Sequence, residues 1–414
     1  MVQLPIDCMN QIFEYFTHDS QTLISCLLVN RYWCKATVGI YWKEIRNYKT
    51  LIACLPNESK EILNNNGILI PTSNPLFNYA SFCKSLSLGV IICNIERFLE
   101  KQMVQNLCDC KVIVSREIFK LLMSQMYSLK TLKTLVRSIE IPLFTSYPGA
   151  SDCLKNISEL QVYSNYNPAL FHQLSQICQN IRSLEIIIMA SVSNGVSDLI
   201  SAQQNLKHLQ LIREDYSIEL RGIQTLAESI PNNLISINIY VRRGFPQELL
   251  IRIPSLINLQ SLTLTFYNKS CFKELQHAIF PQLQTLEFKF ICPGDDLLIK
   301  FLENNGKNLK RFHVQRNGHI LNSAVIELCP NLIYFATRIM YDIETILKSF
   351  INGFQYLKYI DVYYERSIFT ENNITIIMKG LTKNYLPEYL PHISFCKLRG
   401  AFELDIIHRK RKFF

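Results

Sequence analysis

Residues Ile157-Ser-Glu-Leu160-Gln-Val162 carry a short phrase that occurs nine times along the chain, and this phrase decides the fold. In each copy an apolar residue is followed by two others, a second apolar residue, one other and usually a third apolar residue. The other copies are Ile181/Leu184/Ile186, Leu206/Leu209/Leu211, Leu234/Ile237/Ile239, Leu259/Leu262/Leu264, Leu283/Leu286/Phe288, Leu309/Phe312/Val314, Leu332/Phe335/Thr337 and Leu357/Ile360/Val362. Their first positions are 24, 25, 28, 25, 24, 26, 23 and 25 residues apart. A period this constant identifies a repeat protein.

The phrase and its period predict leucine-rich repeats. An L-x-x-L-x-L pattern recurring every roughly 20 to 29 residues is typical of that architecture, with one strand and one return segment in each repeat. Apolar residues at helical spacing lie between successive copies and predict return helices of about two turns. We therefore predict an α/β leucine-rich-repeat solenoid, with a curved parallel sheet inside and helices outside. The solenoid also accommodates 414 residues, which is too long for one ordinary globular core.

The strands of such a sheet supply a candidate binding surface. Because side chains alternate along a strand, the apolar positions are expected to point into the stack and their neighbours to the concave face. In the last three repeats these neighbours are aromatic and charged, and Tyr and Arg dominate binding hot spots. The predicted client-binding residues are Arg311, His313, Tyr334, Arg338, Tyr359, Asp361 and Tyr363. The alternative is a solvated polar face with no partner.

The first residues of the chain predict a small all-α segment. Leu4-Pro5 suits a helix start, where the missing N–H of proline costs nothing. Apolar side chains then recur at helical spacing, and His18-Asp-Ser20 and Asn30-Arg31 interrupt the pattern. Three short helices joined by tight turns are expected, and both tryptophans of the chain fall here or directly after.

This segment resembles an F-box, and most closely the F-box of the expanded fungal families in which leucine-rich repeats follow. The residues that carry the resemblance are Leu4-Pro-Ile-Asp, Ile12-Phe13-Glu-Tyr15, Leu23, Cys26-Leu-Leu-Val29-Asn30-Arg31-Tyr-Trp33 and Tyr41-Trp42. One departure is that only three residues precede Leu4, so contacts made by an N-terminal extension are not expected.

The resemblance implies binding to the Skp-type adaptor of cullin-based ubiquitin ligases. Six residues match apolar positions of the family and are carried over as adaptor-facing or F-box-core residues: Leu4, Pro5, Ile12, Phe13, Val29 and Trp33. The sequence does not separate these two roles. For Leu4 and Pro5 the interface is favoured, because a chain terminus has little core to fill.

The pattern divides the chain into four predicted regions. These are the F-box at 1–46, irregular capping repeats with the connection at 47–156, regular repeats at 157–384, and a C-terminal cap with a basic tail at 385–414. Atypical terminal repeats are expected because an open end would expose the core of the stack. The tail His408-Arg-Lys-Arg-Lys412 is interpreted as a solvated end, with an anion-binding or nuclear-address role as the alternative.

Other function classes find little support. The chain lacks a phosphate-cradling glycine loop, an H-E-x-x-H and a G-x-S-x-G, so no catalytic set or cofactor is predicted. Its 14 cysteines include no C-x-x-C, so no metal site is expected. The net charge of +9 has no basic stripe, which argues against nucleic acid. No signal peptide or apolar span is present, so a cytoplasmic or nuclear protein away from the membrane is expected.

Two functional hypotheses follow. The first is the substrate-recognition subunit of a Skp-cullin-F-box ubiquitin ligase, which binds the adaptor through the F-box, reaches a cullin through that adaptor, and binds an unknown client protein through the concave repeat face. The second is a non-catalytic repeat scaffold or inhibitor that binds proteins and carries a non-functional F-box.

Overall fold

The computed structural model describes residues 4–405 apart from 46, 72–74, 128, 137–143, 190, 214–219, 242–245, 267–268, 291, 316–318, 340–341, 366–370, 385–390 and 400–402. The basic tail at 408–412 lies outside the described residues. The chain forms two compact units, which we call the N-terminal unit (Met1–Leu184 with Ala202–Asn205) and the C-terminal unit (Glu185–Ser201 with Leu206–Phe414).

Among the described residues, nine α-helices belong to the N-terminal unit: α1 Ile6–Glu14, α2 Ser20–Val29, α3 Arg31–Tyr41, α4 Tyr48–Ala53, α5 Asn57–Asn65, α6 Leu88–Glu100, α7 Leu107–Gln125, α8 Ala150–Leu154 and α9 Pro168–Ile177. In the described part of the C-terminal unit there are seven: α10 Asn194–Ser201, α11 Ile223–Ser229, α12 Gln247–Arg252, α13 Asp295–Asn305, α14 His319–Leu328, α15 Ile343–Gly353 and α16 Glu371–Asn384. No helix in the described ranges has the length and apolar character needed to cross a bilayer.

The three predicted N-terminal helices are present as α1, α2 and α3. Polar side chains cap the N-termini of α2 and α3. Asp19 accepts a hydrogen bond from the backbone N–H of Thr22 at 3.1 Å, and Asn30 accepts one from the backbone N–H of Trp33 at 2.9 Å. Such caps satisfy N–H groups that a helix start leaves without partners. The three helices share a core of Met9, Phe13, Leu23, Cys26, Ala36 and Ile40.

Strands β3 to β11 carry the repeated phrase, and four further strands are described. The strands are β1 Ser85–Ser87, β2 Thr131–Lys133, β3 Glu159–Tyr163, β4 Ser183–Ile188, β5 His208–Arg213, β6 Ser236–Val241, β7 Ser261–Phe266, β8 Thr285–Phe290, β9 Arg311–Val314, β10 Tyr334–Arg338, β11 Tyr359–Glu365, β12 His392–Arg399 and β13 Glu403–Asp405. In the N-terminal unit β1, β2 and β3 pair in parallel. In the C-terminal unit β5 to β12 pair in parallel, each with the next, and β13 is antiparallel to β12.

This arrangement is the predicted α/β leucine-rich-repeat fold. In each of the nine copies the strand begins two residues after the first apolar position. Neighbouring strands place equivalent residues side by side. The first apolar positions are buried in eight of the nine copies, Leu357 being the exception, and the second and third are buried in all nine. Burial of these side chains along successive strands supplies the core of each unit.

Amide side chains form hydrogen bonds between neighbouring repeats. Asn258, Asn308 and Asn331 each precede the first apolar position of a repeat and donate to a backbone carbonyl of the repeat before, at 3.1, 2.9 and 2.8 Å. Two buried amides act in the same way: Gln203 bonds to the backbone of Ile181 and Cys178, and Asn305 bonds to that of Phe280 and Ala278. The asparagines before the strands therefore link repeats as well as form turns.

Some return segments differ from the predicted helices. The sequence predicts a helical return segment over Phe272–Ile279, and the structure has a 3-10 helix at Lys269–Leu275. Phe272 and Leu275 are three residues apart and both fully buried, a spacing that suits three residues per turn. Helix α12 was not predicted, because its six residues are too short for a periodic signal.

Candidate functional site

The seven predicted client-binding residues lie on three adjacent strands of the C-terminal unit. Strand β9 carries Arg311 and His313, β10 carries Tyr334 and Arg338, and β11 carries Tyr359, Asp361 and Tyr363. The register places Arg311, Tyr334 and Tyr359 in one row across the sheet, His313 and Asp361 in a second row, and Arg338 and Tyr363 in a third. The structure thus brings together, on one face, side chains that are 52 residues apart in the sequence.

A chain of polar contacts crosses the first two rows. The Nε of Arg311 lies 3.2 Å from Oε1 of Glu287 on β8. The guanidinium carbon of Arg311 lies 3.7 Å from the centre of the Tyr334 ring, and the Tyr334 hydroxyl donates to Oδ2 of Asp361 at 2.5 Å. Four neighbouring strands therefore hold Arg311 in one orientation, through an ion pair on one side and a cation–π contact on the other.

Two rings close over the centre of the second row. The His313 and Tyr363 rings stack with centroids 5.3 Å apart and planes 11° from parallel. Ala336 lies on the strand between theirs and is fully buried. His313 and Tyr363 were expected to face the concave surface as open contact residues, but they are only 9% and 7% exposed. The small Ala336 side chain leaves room for the larger rings to lean together, so both become part of a covered cluster.

Burial controls the protonation of this cluster. Loss of solvent lowers the pKa of His313 to about 4, against the opposing attraction of Glu287, so the imidazole is neutral near pH 7. Its Nε2 atom is buried without a hydrogen-bond partner among the described residues. Burial also raises the pKa of the Tyr334 and Tyr363 hydroxyls, and the neighbouring Asp361 carboxylate raises both further. Both tyrosines are therefore hydrogen-bond donors rather than anions.

The groups that remain accessible lie in the first row. Arg311, Tyr359 and His392 on β12 are exposed, and Tyr334 is half-buried. The Tyr359 and His392 rings lie 6.1 Å apart. The repeated phrase does not indicate His392, because β12 carries none of its nine copies. The alternation of Ile393 and Phe395 after His392 is the signal that could have found this strand.

The predicted adaptor-facing residues divide between surface and core. Leu4, Ile12 and Val29 are 52%, 44% and 56% exposed, and Pro5 is also exposed at the start of α1. Phe13 is only 2% exposed and packs on Trp33 with ring centroids 5.2 Å apart. Of the two roles that the sequence left open, Phe13 therefore has the core one, while half-buried Trp33 flanks the core.

The exposed apolar surface of the N-terminal helices extends beyond the predicted residues. Tyr15 and Leu28 are 89% and 81% exposed. Cys8, Gln11, Ile12, Glu14 and Tyr15 line a shallow depression along α1. The hydroxyl of Tyr32 on α3 donates to the Leu4 carbonyl, which fixes the segment before α1. A helix face this apolar and this poorly covered is typical of a surface that binds another protein.

Over the described ranges, no three His, Cys, Asp or Glu side chains are placed to hold a metal ion. The groups of the three strands contact one another in pairs, as Arg311 does with Tyr334 and His313 with Tyr363.

Comparison with known proteins shows a likeness to solved structures. No model of a protein family matches the chain, and no curated protein matches it. Among solved structures the chain is similar to TLR13, crystallised in a TLR13–ssRNA13 complex, with 17% sequence identity and a TM-score of 0.36. The match covers 58% of this chain and 33% of that one, so the chain matches about a third of that protein's length. The fold assignment here rests on the strand pairing and the repeats.

Proposed function

We propose that the protein is the substrate-recognition subunit of a Skp-cullin-F-box ubiquitin ligase. The observation that carries the proposal is the N-terminal three-helix segment, which fills its own core with Phe13 and five other residues and still exposes Leu4, Ile12 and Val29. These three match the apolar positions of the F-box that the sequence resembles. In this proposal they bind a Skp-type adaptor, which connects the chain to a cullin.

The exposed apolar side chains would supply part of the free energy of such an interface. Fully burying one Leu, Ile or Val side chain contributes about 1.5–3 kcal/mol. Leu4, Ile12 and Val29 are already about half buried, so the three together would contribute roughly 2–5 kcal/mol, and exposed Tyr15 and Leu28 would add to it. Association costs must be offset by the remaining contacts.

The repeats supply the second half of the proposed function. Leucine-rich repeats are extended binding surfaces, and the Arg311–Tyr334–Asp361 contacts hold interface-type side chains in place. We assign the client protein to this face of the C-terminal unit. The chain's own contribution to ubiquitin transfer is to position the client, and its place of action is the cytoplasm or the nucleus.

Co-expression of the full chain with a Skp-type adaptor tests the proposal. We expect a stable complex that survives gel filtration and that Leu4→Asp with Ile12→Asp abolishes, because two carboxylates would be buried in an apolar interface. Val90→Asp is the matched control, since Val90 is 51% exposed near the start of α6 and lies outside the proposed surface.

The outcomes separate the two hypotheses. Circular dichroism of both variants must match the wild type, so that loss of the complex reports the surface and not the fold. If the wild-type chain forms no complex with the adaptor, or if the control variant loses it equally, the ligase proposal is wrong. A repeat scaffold that binds its protein partner without an adaptor then remains.

A further inference from the structure

Arg311 is a charged group of the C-terminal sheet that is both held in place and accessible. Its Nε pairs with Glu287 and its guanidinium lies against Tyr334, yet its side chain is 47% exposed. Among the described residues, its terminal nitrogens Nη1 and Nη2 make no hydrogen bond. Such an oriented guanidinium presents two parallel N–H groups, which match a carboxylate.

Further cations stand beside it at the same edge of the sheet. Lys310 directly precedes β9 and Lys358 directly precedes β11, and both are exposed. Neither side chain has an ion pair or hydrogen bond within the described part of the chain. The nearest carboxylates are engaged, because Glu287 pairs with Arg311 and Asp361 accepts from Tyr334. Arg311 in the first row and the two lysines beside that row therefore offer positive charge to a ligand.

We propose that this row binds an extended acidic segment of the client, with an Asp or Glu carboxylate seated on Arg311 and further acidic residues near Lys310 and Lys358. The inference deepens the proposed function and rests on it in one respect, that the segment belongs to the client. Tyr334 acts as a positioning residue, because it orients Arg311 from below.

The geometry also sets the pattern of the segment. Neighbouring strands are about 4.8 Å apart, so Lys310 and Lys358, which lead strands two apart, are separated by about 10 Å across the sheet. An extended chain advances about 3.3 Å per residue. Because side chains alternate along an extended chain, acidic residues two or four positions apart face the row together, and their spans of about 7 and 13 Å bracket the separation of the two lysines. The exposed Tyr359 ring is available to an apolar residue of the same segment.

A carboxylate fits this row better than a phosphate group. Glu287 lies 3.2 Å from Nε of Arg311, and Asp361 lies behind Tyr334. These two fixed carboxylates repel a doubly charged anion more than a singly charged one.

Selection of random 12-residue peptides on the immobilised full-length chain provides the test. We expect peptides selected on the wild type and on the charge-matched control Lys101→Ala, which changes an exposed lysine of the other unit, to be enriched in Asp and Glu two or four residues apart. Arg311→Ala is expected to lose that enrichment. A selected peptide should bind Arg311→Ala about tenfold or more weakly than the wild type, since one charge-assisted hydrogen-bonded pair is removed.

Two companion measurements sharpen the result. Arg311→Lys keeps the charge but loses the paired N–H groups, so it should weaken binding less than Arg311→Ala while leaving the fold intact. Replacing Asp and Glu of the selected peptide by Asn and Gln should weaken binding to the wild type to the level seen with Arg311→Ala.

The inference is overturned if the selected peptides are not acidic, or if Arg311→Ala selects the same sequences. It is also overturned if a phosphorylated version of the peptide, or a single-stranded oligoribonucleotide, binds more tightly than the acidic peptide in a manner that depends on Arg311. Peptide selection tests the C-terminal unit, whereas adaptor co-purification tests the N-terminal helices, so the inference and the proposed function fail in separate experiments.

Discussion

Asn305 stabilises the junction between two repeats of the C-terminal unit, and its replacement should be costly. The side chain is 2% exposed. Its Oδ1 accepts from the Phe280 backbone N–H at 2.7 Å, and its Nδ2 donates to the carbonyls of Ala278 and Phe301 at 2.8 and 2.9 Å. One amide therefore satisfies polar groups of the repeat before it as well as of its own helix.

Replacing Asn305 by Leu removes these partners without leaving a cavity. The N–H of Phe280 and the carbonyl of Ala278 then stay buried without a hydrogen bond, since these residues are 1% and 8% exposed. Each such group costs about 1–3 kcal/mol, so we expect a loss of roughly 2–6 kcal/mol. The matched control is Asn308→Leu, because Asn308 donates to the Pro281 carbonyl from an exposed position where water can take its place, and about 1 kcal/mol or less should be lost.

Urea unfolding followed by circular dichroism measures the global effect of both variants at pH 7. Hydrogen exchange of the peptide that contains the Phe280 amide measures the local one, which matters because repeat proteins can open in parts. If Asn305→Leu is no more destabilising than Asn308→Leu, or if the Phe280 amide remains as protected as in the wild type, the assigned role of this amide is wrong.

Two further predictions concern the concave face. Because burial holds the pKa of His313 near 4, the unfolded chain binds its proton first, near pH 6.5. The stability that depends on the neutral imidazole is therefore fully present above about pH 6.5 and is lost as the pH falls toward about 4. Over this range the free energy of unfolding decreases by on the order of 3 kcal/mol. Urea midpoints at pH 7, 5.5 and 4.5 should fall less in His313→Leu than in the wild type, and parallel profiles would contradict the assignment. Tyr359→Ala with Arg338→Ala should reduce capture of the client in a pull-down while adaptor binding is retained, and undiminished capture would remove this face from the proposed function.

The repeated phrase was sufficient to predict the fold because its signal is redundant. All nine copies have apolar residues at the first and second positions and eight have one at the third, so the parallel strands and their register follow even where one position is degenerate, as at Thr337. The three N-terminal helices were equally readable, since Asp19 and Asn30 mark helix starts in the sequence and cap them in the structure. Apolar positions that repeat and polar residues that mark helix starts can be recognised in a single sequence.

What the sequence could not give is how side chains of neighbouring strands meet. Alternation alone predicts that His313 and Tyr363 face solvent, but their burial depends on a third residue, Ala336, being small enough for the rings to close over it. The role of Glu287 in fixing Arg311 likewise depends on a partner 24 residues away. The same holds for Phe13, whose core position becomes clear only from its contact with Trp33.

The strand register of the C-terminal unit is independent of how long each return path is. Strand starts are 23 residues apart between β9 and β10 and 33 apart between β11 and β12, yet first residue pairs with first residue in both cases. Return segments of different length are therefore compatible with a constant arrangement of the three rows of side chains on the sheet. A reporter peptide inserted in a return segment, for instance between β11 and β12, should leave the strand order of the sheet unchanged and would label the protein.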